Sequence, residues 1–86
     1  MYAFEVEALD RREVRCQVEA AGRLRIGWRK WVTCEIRDIS CGGARIAVAE
    51  GVDLPEQFVL TSCLFDGERV CMRRWEFGSE TGVEFL

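Results

Sequence analysis

From residue 19 onward the chain alternates apolar and polar residues with a period of two, the mark of strands with one face buried. Residues 19–26 read as a strand with Leu24 and Ile26 turned inward and Arg23 and Arg25 outward. After a Gly27-Trp28-Arg29-Lys30 turn, Val32, Cys34 and Ile36 alternate with Thr33, Glu35 and Arg37. The same parity carries Asp38 to the inward side at the strand's end, where a carboxylate is costly unless donors meet it. The break over residues 38–43 is therefore a site or a bulge. Alternation resumes at Ala44, Ile46 and Val48, and a loop over residues 50–56 holds the only proline. Residues 58–65 and 68–77 flank an Asp66-Gly67 turn and read as a hairpin. Residues 78–81 turn the chain into a last strand over 82–86. About six short strands without a convincing long helix predict an all-β fold, a small antiparallel six-stranded barrel.

The front of the chain is less regular. Tyr2, Phe4, Val6 and Ala8 alternate weakly with Glu5 and Glu7, which suits a short strand or an irregular arm and leaves a helix open. Residues 10–15 are almost wholly charged and read as an exposed loop. Eighty-six residues make one domain, with residues 1–15 as an arm and 16–86 as the barrel. An apolar share of 49% is enough for a packed core and argues against disorder. No apolar run approaches the roughly 20 residues of a membrane span, and no leader pattern opens the chain, so a cytoplasmic protein without membrane insertion is expected.

Net charge is −3, yet eleven of the twelve cations are arginine and three fall within residues 11–15. Positive charge that local suits a small anionic ligand better than a DNA duplex, which meets a broad basic face. The chain has no histidine, and no serine or cysteine has a recognisable base beside it, which points away from an enzyme. Five cysteines without a Cys-x-x-Cys pair point away from a metal site and towards small buried apolar residues. With a two-residue turn at Asp66-Gly67, Cys63 faces Val70 and Cys71 faces Ser62. Their sulfurs then lie on opposite faces, and only a three-residue loop would bring them together.

Two motifs carry the candidate chemistry. Arg11-Arg12-Glu13-Val14-Arg15 is an Arg-x-x-x-Arg, and Asp38-Ile39-Ser40-Cys41-Gly42-Gly43 is an Asp-x-Ser-x-x-Gly. Guanidinium groups bind phosphate oxygens and the guanine O6/N7 edge in bidentate fashion and stack on bases. A carboxylate accepts the hydrogens that guanine donates, and a hydroxyl beside a glycine turn can reach a phosphate or sugar. The second motif also reads as a turn that caps its own backbone, with Gly42 and Gly43 supplying positive φ values.

Taken together the two motifs resemble the PilZ family of bacterial cyclic di-GMP receptors. The resemblance runs from about Arg11 to the end of the chain and includes Gly43-Ala44-Arg45-Ile46, residues 70–75 and Gly82-Val83-Glu84-Phe85. It implies a PilZ-like barrel, here without the family's usual helix after the last strand. It also implies a cyclic di-GMP-binding effector that signals to a partner protein and needs no other cofactor, with a homodimer left open. By resemblance, Arg11 and Arg15 would hold guanine edges, stack on bases and contact phosphates, with Arg12 as a secondary contact. Asp38 would accept from guanine N1 and N2, Ser40 would touch the ligand's polar rim, and Gly43 would allow close approach.

Two other readings remain. One is a PilZ-like interaction module without ligand binding. The other is a small RNA-binding barrel using Trp28, Arg29, Lys30 and Trp31, an aromatic and basic interleaving that also suits single strands. The plainer reading of Trp28 and Trp31 is that each covers a barrel end. Trp75 reads as packing, and Arg73 and Arg74 as either ligand surroundings or plain surface.

Overall fold

The computed structural model describes residues 15–86, and every regular element among them is a strand: β1 (Cys16–Gly27), β2 (Lys30–Ile39), β3 (Gly43–Ala47), β4 (Gln57–Ser62), β5 (Glu68–Phe77) and β6 (Glu80–Phe85). Around the wall they run β1-β2-β3-β6-β5-β4, and β4 closes onto β1, with every pairing antiparallel. The barrel expected from the alternation is the fold observed. Arg11 and Arg12 of the first motif, and the weak alternation over residues 2–9, lie outside the described residues.

Each strand sends a residue to a common centre. Leu24, Ile36, Ile46, Leu60 and Cys71 are fully buried and Val83 nearly so, one from each strand in turn. Burial of a large aliphatic side chain stabilises by about 1.5–3 kcal/mol, so this ring dominates the fold's stability. Phe58 and Leu54 extend it, Leu54 coming from the loop over residues 50–56. That loop is tied to β5, where the Arg73 amide donates to the Glu56 carbonyl at 2.8 Å and the Arg73 guanidinium donates to the Leu54 carbonyl.

The sequence pattern misplaces three local features. The first is the β4–β5 hairpin. Its last pair is Thr61 with Glu68 and β4 ends at Ser62, so residues 63–67 form a loop longer than a two-residue turn. Ser62 organises it by accepting the Leu64 amide on its hydroxyl, while Phe65 turns back to meet Phe85 edge-on at 6.1 Å. The pairing partner of Cys71 is therefore Phe58, and Cys63 sits in the loop.

The second is the cysteines. Cys34 and Cys71 are buried as expected, but Cys16, Cys41 and Cys63 are exposed, because they sit at a strand's start or in a turn. Burial pushes the Cys34 thiol up to about 12, with the neighbouring Cys71 adding to it. Burial likewise raises Cys71 to about 11, against smaller downward pulls from Arg69 and a backbone hydrogen bond to Leu60. The third is the tryptophans of the first turn, which cover no barrel end: Trp28 is 87% exposed and Trp31 44%. β1 has its last β4 partner at Arg25 and β2 its first β3 partner at Glu35, so the turn between them stands clear of the wall.

Candidate functional site

A strand that alternated without interruption would place Asp38 on the same side as Ile36, facing the core. It does not, because the β2–β3 register slips at Arg37: Ile36 pairs with Ile46, and the next pair is Asp38 with Arg45. Two residues of β2 oppose one step of β3, a bulge that turns the following side chain to the other face. Arg45 lies between the buried Ala44 and Ile46 and so points outward, and Asp38 opposite it does the same. The inward placement read from parity is corrected here.

β5 repeats the device. Arg73 pairs with Val83, and the next pair is Trp75 with Gly82, leaving Arg74 as the extra residue. Parity from Cys71 would carry Trp75 inward; the bulge puts it outside, 46% exposed, so it is not core packing. Since Arg45 also pairs with Gly82, the result is one outward row across four neighbouring strands: Asp38, Arg45, Gly82, Trp75. The glycine explains how the row lies flat. A Cβ at position 82 would come within 2.1 Å of the Trp75 indole nitrogen, so the ring rests directly on the β6 backbone.

Charge is concentrated over this row. Asp38 is only 8% exposed, because Arg15 places a guanidinium nitrogen 2.6 Å from its Oδ1 and Arg45 Nε lies 2.9 Å from its Oδ2. The second contact is close but misaligned: Arg45 Nε is buried and has no hydrogen-bond acceptor in line. Arg45 and Arg37 share Glu80 at 3.3 Å each, and Arg74 pairs with Glu84 one step along β6. Above the row is an open cavity of about 520 Å³, bordered by Arg15, Asp38, Arg45, Arg74, Trp75 and Glu84. That volume falls within the range of small-molecule sites. Its rim offers guanidinium donors, carboxylate acceptors and an indole face together.

The turn after β2 holds Asp38 in place. The Ser40 amide donates to the Gly43 carbonyl at 2.8 Å, and the Ser40 hydroxyl donates to the same carbonyl and accepts the Gly42 amide, both at 3.3 Å. Ser40 is itself buried, so its observed contacts are those of a brace. Gly42 and Gly43 are not among the glycines with positive φ, which are Gly51, Gly67 and Gly78. Glycine is needed at 43 for a different reason: a Cβ there would meet the Val83 carbonyl oxygen at 2.2 Å. The close approach made at Gly43 is that of β6.

Of the residues singled out by sequence, the structure brings Arg15, Asp38 and Gly43 to the cavity and sets Ser40 beneath it. Arg11 and Arg12 fall outside the described residues. Arg45, Trp75, Gly82 and Glu84 were not assigned to the site. Gly82 alone left a signal, since an isolated glycine inside a strand marks close approach of another group.

A family model for the PilZ domain matches residues 9–85, which is nearly the whole chain. The chain belongs to the PilZ domain family. This is a family of binding and adaptor domains rather than an enzyme class. A search of curated proteins finds no match to this PilZ domain. Among the described residues, no helix is long and apolar enough to cross a membrane.

Proposed function

We propose that this PilZ domain is a cyclic di-GMP receptor whose occupied outer face is presented to a partner protein. The observation that carries the reading is the row Asp38–Arg45–Gly82–Trp75, which two separate bulges are needed to assemble. A guanine nucleotide asks for an acceptor of its N1 and N2 hydrogens, a flat surface for its ring and cations for its phosphates. Asp38 serves as the acceptor, the Trp75 indole as the stacking surface, and Arg15 and Arg45 as the phosphate contacts. Arg11 and Arg12 join them through the first motif by family resemblance. Ser40 and Gly43 act beneath the ligand, Ser40 by bracing the turn and Gly43 by admitting β6.

Without ligand, Asp38 is engaged by Arg15 and Arg45. Binding is then an exchange: guanine donors take the place of Arg15 on the carboxylate, and the released guanidinium turns to a phosphate or stacks on the base. Charge pairing is conserved in number, so little desolvation cost is added.

Calorimetric titration with cyclic di-GMP, and with cyclic di-AMP as control, tests the proposal and gives stoichiometry as well. Binding of the guanine ligand and rejection of the adenine one are expected. Equal affinity for both would remove Asp38 as a base reader. Absence of binding to either would leave a protein-interaction module.

A further inference from the structure

The first hairpin carries a second aromatic and cationic assembly that the nucleotide site does not use. Between residues 20 and 34 there are four cations (Arg23, Arg25, Arg29 and Lys30) and no acid, so the remainder of a chain of net charge −3 carries −7. The Arg29 guanidinium lies over the Trp28 ring, 4.7 Å from its centroid, and Arg23 and Arg25 lie over Trp31 at 4.9 and 5.8 Å. Among the described residues the one acid paired with these cations is Glu68, 3.5 Å from Arg25. Among the described residues, the two strands past Arg25 and Glu35 bond only to each other, so this is a convex two-stranded ribbon with Trp28 at its apex.

The apex is also held at a local cost. Gly27 pairs with Lys30, leaving Trp28 and Arg29 as a two-residue turn, and Arg29 takes φ 62° where glycine or asparagine would sit without strain. Nothing in the barrel requires an arginine there.

We infer that this ribbon tip docks onto an anionic lipid surface, with Trp28 at headgroup level and Arg29 and Lys30 on lipid phosphates. Tryptophan is favoured at the boundary between headgroups and acyl chains, and each basic residue near such a surface adds electrostatic attraction. A convex tip enters a deformable interface readily, whereas single-stranded nucleic acid is usually held in a groove, which this tip lacks. The −7 on the rest of the chain is repelled by the same surface. Only the tip can then approach, and the nucleotide row, which begins at Asp38 near the far end of β2 from the turn, stays free.

The test uses vesicles of phosphatidylcholine with and without phosphatidylglycerol. In a Trp31→Phe, Trp75→Phe background, Trp28 alone reports. Its emission should shift to the blue with phosphatidylglycerol vesicles only, and added salt should reverse the shift. Arg29→Gly should weaken binding about five-fold while leaving the fold at least as stable, because it removes one cation and the unfavourable φ together. Trp28→Ala should abolish co-sedimentation of the otherwise native protein without changing its nucleotide titration, which keeps this inference separable from the receptor reading. Unchanged Trp28 emission with phosphatidylglycerol vesicles at low salt would overturn it. So would full vesicle binding by Trp28→Ala, or a shift produced by oligouridine or polyglutamate but not by vesicles.

Discussion

Two places on this molecule combine tryptophan with arginine, and they differ in what lies beneath them. The row through Asp38 and Trp75 rests on four adjacent strands, with a glycine floor under the indole and an acid within reach of each of its arginines. The tip at Trp28 rests on two strands, has its ring exposed, and among the described residues has one acid, Glu68, paired with its cations. The same residue types thus make a fixed recess in one place and a free cationic probe in the other. The number of supporting strands decides which, because each paired strand fixes the backbone under a side chain and brings further groups to bond it. A recess of paired charges can distinguish ligands, since a wrong ligand leaves some group unpaired. An exposed tip with unopposed charge attracts by field and discriminates little.

If the recess depends on its supporting strands, the largest effect should come from forcing β3 and β6 apart. Gly43→Ala drives a Cβ against the Val83 carbonyl, a backbone atom that cannot swing away. A loss of about 3 kcal/mol in urea unfolding is expected, with nucleotide binding lost as well. Gly82→Ala separates the two properties. Its Cβ meets the exposed Trp75 ring, which can move outward, so binding should fall well before stability does. Native-like binding by Gly82→Ala would show that the indole is no stacking surface.

Removing one charged partner comes next. Asp38→Ala should cost about 1.5–3 kcal/mol of cyclic di-GMP affinity, roughly ten- to a hundred-fold, and narrow the preference over the adenine ligand. Tighter binding of cyclic di-GMP by that variant would mean that the carboxylate serves only Arg15 and Arg45. Arg15→Ala should weaken nucleotide binding by a similar factor, yet change stability by at most about 1 kcal/mol, as its side chain is largely exposed. Calorimetry and denaturation of the same sample separate the two effects.

The barrel beneath both regions has its own signature in alkali. Cys34 and Cys71 are raised in the folded protein from 9.0 to about 12 and about 11. Below pH 9 both states hold the protons and the buried thiols cost nothing. Above it the unfolded chain ionises first, so stability should fall between about pH 9 and the folded values. Unfolding midpoints across that range, compared with a Cys34→Ala variant, should show a shallower decline in the variant. The smallest effect is expected at the tip. Trp28→Ala should change unfolding by no more than about 0.5 kcal/mol, since the ring is almost wholly in solvent. A larger loss would mean that the ribbon is part of the fold's support.

The alternation over residues 19–48 was enough to specify strands, an inward ring of Leu24, Ile36 and Ile46, and a barrel, since burying one face of each strand leaves few other arrangements. The motifs were legible as well: Arg15 and Asp38 do meet, and the family match covers residues 9–85. Which way Asp38 and Trp75 point was not legible. Each follows a bulge, at Arg37 and at Arg74, and a bulge is a property of two paired strands. A single strand read with period two carries Asp38 and Trp75 to the core, and its own residues do not announce where the partner will skip one. Arg45, a plain outward residue in sequence, joins the site because the bulge sets Asp38 opposite it. The Cys63 loop and the freestanding Trp28 tip were likewise settled by register and by where neighbouring strands stop. Local pattern determined which faces are apolar, while the offsets between strands, fixed only when the barrel closes, determined which polar groups share a face.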